Sequence, residues 1–273
     1  MSGPRPTAGT RLRHRAALAV VVLLVLLPLL PVLLWAVADT WRYPDLLPGG
    51  LTGRGLRLVT GSSVLGALGT STLIATAVAC LACAVGFPAG RALGMHSFRG
   101  RRVVQFLLLA PVLVPALAVT LGLQVFFIRL GLADTVTGVV LVQLMPTVPY
   151  AATLLGASYA NLDADHERQA RVLGAGPWRT VAAVTVPLLR PALVTTWLLT
   201  FLISWSEYIL TLLIGGGRVT TLPLLLFSAI ESSDRTAAAA LGLLVVLPPV
   251  LLVLVVARLL GSRDDAFLGV ARA

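Results

Sequence analysis

Two places in this chain hold residues whose type and spacing could do chemistry. One is Glu207, in Ser204-Trp205-Ser206-Glu207-Tyr208, inside an otherwise apolar run; the other is the polar insert from Asp163 to Pro187, DADHERQARVLGAGPWRTVAAVTVP. A carboxylate among apolar residues has two readings. It lines a polar pathway, or it is a structural group hydrogen-bonded to Ser204, Tyr208 or a neighbouring helix. A polar stretch this long between apolar runs presents a surface to something, because idle connections are shorter. The remaining candidates carry no covalent chemistry. His14, His96 and His166 sit in separate polar segments without an H-E-x-x-H pattern. Cys80 and Cys83 lie in an apolar run without the further ligands a metal or redox site needs, so they read as packing residues. The chain has no lysine, and a phosphate-binding Walker loop needs one. No catalytic residue, metal or cofactor is therefore expected, and any energy for work must come from a partner or an ion gradient.

The elements that position these groups belong to a membrane. A hydrophobic fraction of 58%, a mean hydropathy of +0.94 and 12% charged residues lie far outside the range of soluble domains. Six apolar runs, near 16–38, 64–88, 103–128, 136–160, 190–214 and 237–260, are each long enough to cross about 30 Å of hydrocarbon as a helix. The fold class expected is all-α, a polytopic bundle of six transmembrane helices. It divides into a disordered cytosolic tail at 1–15, a first helix with its outer loop at 16–62, a five-helix core at 63–262 and a cytosolic tail at 263–273. The first run is too long for a cleaved secretory signal and reads as an anchor.

With the N-terminus in the cytosol, 15 of the 21 arginines fall in inside segments and 6 in outside ones. That satisfies the positive-inside rule and places both termini and the insert in the cytosol. The same scatter of charge among short loops argues against a nucleic-acid surface despite a net charge of +10. Gly66, Gly69, Thr70, Ser71, Thr72 and Thr76 put small residues on several faces of the second helix, so close helix contact is expected there. Paired prolines in the first, third, fourth and sixth runs imply kinks, with or without a hinge role. Val219 to Ile230 is apolar but too short to span and reads as an outer-surface or re-entrant helix.

Within the insert, Asp163 or Asp165 caps a short helix in which Glu167 and Arg171 form an i,i+4 pair. Gly174 and Gly176 end it, and Pro177 starts a second short helix through Trp178 and Arg179. Pro187 and Pro191 break the backbone before the fifth run. Such a helix-turn-helix either anchors the loop at the interface or docks on a partner.

The insert resembles the cytosolic loop of the integral-membrane permeases of binding-protein-dependent ABC importers, of the type I class. The family pattern is E-A-A, three residues, G, nine residues, I, one residue, L-P. Its positions fall here on Arg168, Gln169, Ala170, Gly174, Val184, Val186 and Pro187, with Glu167 one place before the usual glutamate. The residues around Glu207 are most similar to the branch that handles polyamines, ferric iron, thiamine or phosphonates. The resemblance implies a coupling helix at Glu167, Arg168, Gln169, Ala170, Gly174, Val184 and Pro187 that docks on a cytosolic ATPase. It also implies a second permease subunit, an extracytoplasmic solute-binding protein and a site in a bacterial inner membrane. Glu207 and Tyr208 are the candidates for the translocation pathway. An ion-coupled secondary transporter is the alternative, with only Glu207 to support it.

Overall fold

The computed structural model describes residues 20, 27, 29–39, 41, 45, 47–114 and 116–270. The tail expected at 1–15 and most of the first apolar run lie outside the described residues. Among those described, the chain is nearly all helical, and its one β feature is an isolated bridge between Ala38 and Leu51. In chain order the helices are α1 (Leu29–Val37), α2 (Arg54–Val59), α3 (Ser62–Met95), α4 (Arg101–Leu113), α5 (Ala116–Arg129), α6 (Val136–Ala160), α7 (Asp165–Val172), α8 (Pro177–Leu188), α9 (Arg190–Trp205), α10 (Ile209–Gly215), α11 (Leu222–Glu231) and α12 (Arg235–Val270).

Contacts divide the chain into two units. One comprises the described residues up to Leu65 together with Leu226–Val246. Here Ala36, Ala239 and Ala240 form a small apolar core against Val32, Trp35, Val59 and Leu243. Arg54 pairs with Asp234, the Thr236 hydroxyl donates to the Ala38 carbonyl at 2.8 Å, and the Arg235 guanidinium lies 5.1 Å from the Trp35 ring centre.

The other unit, Gly66–Leu225 with Leu247–Ala273, carries the insert. In hydrocarbon every backbone and hydroxyl group must find an internal partner, and the threonines oblige by bonding the carbonyl one turn back. Thr70 donates to Gly66, Thr72 to Leu68 and Thr153 to Pro149, at 2.8–3.0 Å. Among the described residues, three helical stretches are long and apolar enough to span: Ser62–Met95, Val136–Ala160 and Arg235–Arg258. A fourth forms if Pro177–Leu188 and Arg190–Trp205, bent by 74°, are taken as one.

Two expected spans are therefore not single helices. The third run breaks after Leu113, because Val114 precedes Pro115 and adopts the extended conformation (φ −86°, ψ 137°) that the proline ring enforces on its predecessor. The fifth run breaks at Ser206–Tyr208, between α9 and α10. Three hydrogen-bonding side chains hold that broken run to α6. Gln143 Nε2 donates to the Thr211 hydroxyl at 2.9 Å, and the Ser204 hydroxyl donates to Gln143 Oε1 at 2.5 Å. All three residues are buried, so these polar groups are satisfied inside the protein. The short apolar segment expected near Val219 to Ile230 is α11, whose first amide donates to Ser71 Oγ at 2.9 Å.

The close contact expected of the second helix is met at Ser71, buried against the start of α11, but not at Gly66 or Gly69. A Cβ on Gly66 or Gly69 would meet nothing within 4 Å, so these face open space. Gly86, Gly90 and Gly94, one turn apart near the other end of α3, are pressed against α6. Added Cβ atoms there would lie 2.6 Å from Ala151 Cβ, 2.8 Å from Gly156 N and 2.4 Å from Gly156 O. Backbone meets backbone along this ridge, the arrangement that lets membrane helices pack without a hydrophobic driving force.

That ridge makes a sharp prediction. Gly90→Val forces the two backbones apart and should cost about 1–3 kcal/mol, as core overpacking does. Gly66→Val should change little. Thermal unfolding of the two variants in the same detergent distinguishes them, and equal melting temperatures would contradict the packing described.

Candidate functional site

The insert folds as a helix, a turn and a second helix, each step set by local chemistry. Asp163 Oδ1 accepts from the Asp165 amide at 2.9 Å and starts α7. Gly174 ends it with φ +86°, in the left-handed region that favours glycine, while the Ala175 amide donates to the Ala170 carbonyl at 3.0 Å. Pro177 occupies the first turn of α8, where its missing N–H is no loss. Within α8 the stretch Val181–Thr185 is π-helical. The widened turn places Thr185, which is fully buried, against α7. The break before the fifth run comes at Leu189, between Pro187 and Pro191.

Glu167 is the centre of the arrangement. The family pattern sets it on the partner-facing side with Arg168, Gln169 and Ala170; in the structure it turns inward and is only 4% exposed. Its two oxygens receive a fork from Arg91, near the end of α3: Nη1 donates to Oε1 at 2.7 Å and Nη2 to Oε2 at 2.5 Å. The Thr185 hydroxyl donates to Oε1 at 2.7 Å, and Arg171 Nη2 lies 3.7 Å from Oε2, the i,i+4 contact expected from the sequence. The Arg91 guanidinium also lies 5.8 Å from the Tyr159 ring centre on α6. One carboxylate thus joins α3, α7 and α8. The Arg91 hydrogen bonds hold the Glu167 carboxyl far below the usual range, at about 2; burial opposes this, and the Thr185 hydroxyl and the charges of Arg91 and Arg171 add to it.

The opposite face of the loop is open. Arg168 and Gln169 are exposed, with Arg168 in a surface pair to Asp165 at 3.0 Å, and Ala170 and Val184 are half-buried. Pro187 is exposed. Three large apolar side chains stand out in this polar segment: Val172 and Leu173 are each 87% exposed and Trp178 is 86% exposed. Asp165, Arg168, Gln169, Val172 and Leu173 line a shallow hollow of about 390 Å³ on that face. The sequence pattern singles out the polar positions of α7 and passes over this apolar trio, although Val-Leu just before Gly174 and Trp just after Pro177 are its visible signal.

Glu207 and Tyr208 sit at the break between α9 and α10, both half-buried. Glu207 Oε1 accepts from the Leu210 amide at 3.0 Å and so caps the start of α10. Cys80 Sγ accepts from the Trp197 indole N–H at 3.3 Å, and both cysteines are free thiols.

Residues 86–263 match the family profile described as binding-protein-dependent transport system inner membrane component. The putrescine transport system permease protein PotI of Escherichia coli (strain K12) is 28% identical over 223 residues, covering 79% of this chain and 75% of that protein. The putative 2-aminoethylphosphonate transport system permease protein PhnV of Salmonella paratyphi A is 27% identical over 226 residues, 80% of this chain and 84% of that one. Among solved structures, a bacterial ABC transporter involved in the import of the acidic polysaccharide alginate has a chain with TM-score 0.69 at 18% identity, covering 94% of this chain and 99% of that chain, a likeness of fold.

The Glu167 contacts predict a pH signature. A group whose folded pKa is depressed stabilises the protein above its unfolded value, about 4.3 for glutamate, and loses that contribution as pH falls toward the folded value. Unfolding temperature should therefore drop between about pH 4.5 and about pH 2. Glu167→Gln should remove that part of the drop and, at neutral pH, cost about 1–3 kcal/mol by leaving the Arg91 fork underpartnered. A variant as stable as the parent at neutral pH would contradict the assignment.

Proposed function

The chain belongs to the family of binding-protein-dependent transport system inner membrane components, and from that premise we propose how its parts divide the work of an ABC importer permease. It is a transport subunit of the membrane, not an enzyme, and it forms the path for a small polar solute. Family membership removes the ion-coupled secondary transporter as an alternative. The solute arrives from an extracytoplasmic binding protein, a second permease subunit completes the path, and cytosolic ATPase subunits supply the energy that a chain without lysine cannot draw from a P-loop of its own. The chain crosses a bacterial inner membrane six times, with the third and fifth crossings made by broken helices. The arginine distribution supports cytosolic termini and a cytosolic insert.

The insert, from Asp163 to Pro187, is the coupling element. The observation that carries this reading is the pairing of two faces on one short segment. The inner face is clamped to α3 through Glu167 and Arg91, and the outer face offers Val172, Leu173 and Trp178 to solvent. An exposed apolar cluster on a polar loop marks a docking surface. Arg168, Gln169, Ala170 and Gly174 form its rim and turn. A partner that grips the outer face moves a rigid body, because the charge-assisted contacts on the inner face resist sliding. Val184 and Pro187 lie in the helix that carries this motion toward the 74° bend before α9.

Glu207 and Tyr208 line the translocation path in this reading. Broken helices whose irregular backbone is satisfied inside the protein are tolerated in membranes where they border a polar cavity. The Glu207 carboxyl group, held at the start of α10, places a polar acceptor at such a break.

Two experiments in reconstituted vesicles holding this chain, its permease partner and the ATPase test the coupling role. Leu173→Asp should abolish solute-stimulated ATP hydrolysis and uptake while leaving membrane insertion intact; normal uptake would overturn the docking role. Cysteines at Val172 or Leu173 should crosslink to the ATPase, whereas a cysteine at Thr185, buried against Glu167, should not.

A further inference from the structure

A second site lies at the same end of the spans as the insert. A cavity of about 350 Å³ lies between the end of α3, α4 and α6, with Leu93, Arg101, Gln105, Leu108, Leu109 and Ala157 in its wall. Its polarity is directional. On α4 the lining runs from Arg101 through Gln105 to Leu108 and Leu109, roughly 12 Å along the helix axis, so charge stands at one end and aliphatic carbon at the other. On α6 it runs from Ala160, beside the insert, to Ala152 in the span.

The charged end is incomplete as it stands. Arg101 Nε is buried and has no hydrogen-bond partner, a state that costs free energy unless an acceptor arrives. Arg99, Arg101 and Arg102 crowd this end within four residues, and among the described residues none of them makes an ion pair. Beside them Val103, Phe106 and Leu107 are exposed, the surface of a helix that enters hydrocarbon directly after its basic start.

We infer that this cavity is a binding site for an anionic phospholipid, with the phosphate on Arg101 and an acyl chain along Leu108, Leu109 and the alanine face of α6. A free anion accounts for Arg101 alone and leaves the apolar length unexplained. A second protein copy would have to bring carboxylates to three arginines at the edge of hydrocarbon. An anionic lipid meets both ends at once, since its headgroup stays at the interface where the arginines lie and its chain belongs at the depth of the leucines. The site adjoins the Glu167 clamp: Leu93, in its wall, is two residues from Arg91. This inference requires only that the chain spans a membrane and stands apart from the coupling role of the insert.

The test is native mass spectrometry of the full chain, delipidated in mild detergent and titrated with phosphatidylglycerol or phosphatidylcholine of matched chains. Phosphatidylglycerol should be retained several-fold more than phosphatidylcholine. Arg101→Gln should bring the two to the same level. Ala157→Phe, which fills the apolar wall and keeps the charge, should lower retention of phosphatidylglycerol by a similar factor and gives a reading even if the first variant folds poorly. Equal retention of both lipids by the parent chain, or unchanged preference in both variants, overturns the inference. Inorganic phosphate at millimolar concentration displacing the lipid completely would mark a bare anion site, and disulfide crosslinking of two copies through a cysteine at Ala157 would mark a protein interface; either result also overturns it.

Discussion

The fork between Arg91 and Glu167 is the contact on which the insert depends. Removing a carboxylate from water is expensive, and an ion pair of low exposure repays that only when its geometry is good and its other lone pairs are used. Both conditions hold. The guanidinium meets the carboxylate through two parallel hydrogen bonds, and Thr185 and Arg171 take up further capacity. A planar fork fixes direction as well as distance, which a lysine at position 91 would not do. The pair joins residues 76 positions apart, so it defines where the loop sits on the spans in a way that no local preference of α7 could.

Two other features must be in place before that fork can close. Arg91 stands between Gly90 and Gly94, whose face of α3 meets α6, and only glycine allows the approach that sets its height. Thr185 reaches Glu167 from a π-helical turn, whose extra residue shifts the phase of α8 relative to an ordinary helix. Backbone contact, a widened turn and a salt bridge thus converge on one carboxylate. Elsewhere the fifth run shows the same economy: its break at Ser206–Tyr208 is compatible with a membrane because Gln143, Ser204 and Thr211 close a hydrogen-bonded set across it.

Features governed by near neighbours along the chain were legible from the residues alone. Asp163 at a helix start, glycine at position 174, Pro177 in a first turn and the Glu167–Arg171 spacing all act within one turn of helix, and each appears as expected. The differences that involve side-chain contacts share a cause. Whether Gly66 or Gly90 faces a neighbour is decided by α6, which begins at Val136, and the sequence carries equal signals for both. The inward direction of Glu167 depends on Arg91, 76 positions away, whose sequence surroundings do not set it apart from the other arginines. The partners of Gln143 are likewise set by α9 and α10, which bring Ser204 and Thr211 to it from more than 60 positions away. The break inside the third run has another origin: apolar length measures solvent preference, and it does not register the break that Pro115 imposes through Val114.

The two faces of α7 differ in kind, and that difference bears on how the proposed coupling works. On the outer face the one ion pair, Asp165 with Arg168, is exposed, and such pairs contribute roughly 0–1 kcal/mol. Charge there is a weak source of grip but an effective guide to approach. Val172, Leu173 and Trp178, nearly fully exposed, hold most of the apolar area that a partner could bury. Affinity for a motor would therefore come from the apolar trio and orientation from the exposed arginines at 168 and 179. The inner face answers with contacts that are strong, directional and out of water. A segment gripped weakly but broadly on one side and fixed rigidly on the other passes displacement inward before its own anchorage yields, which is the mechanical property a coupling loop requires.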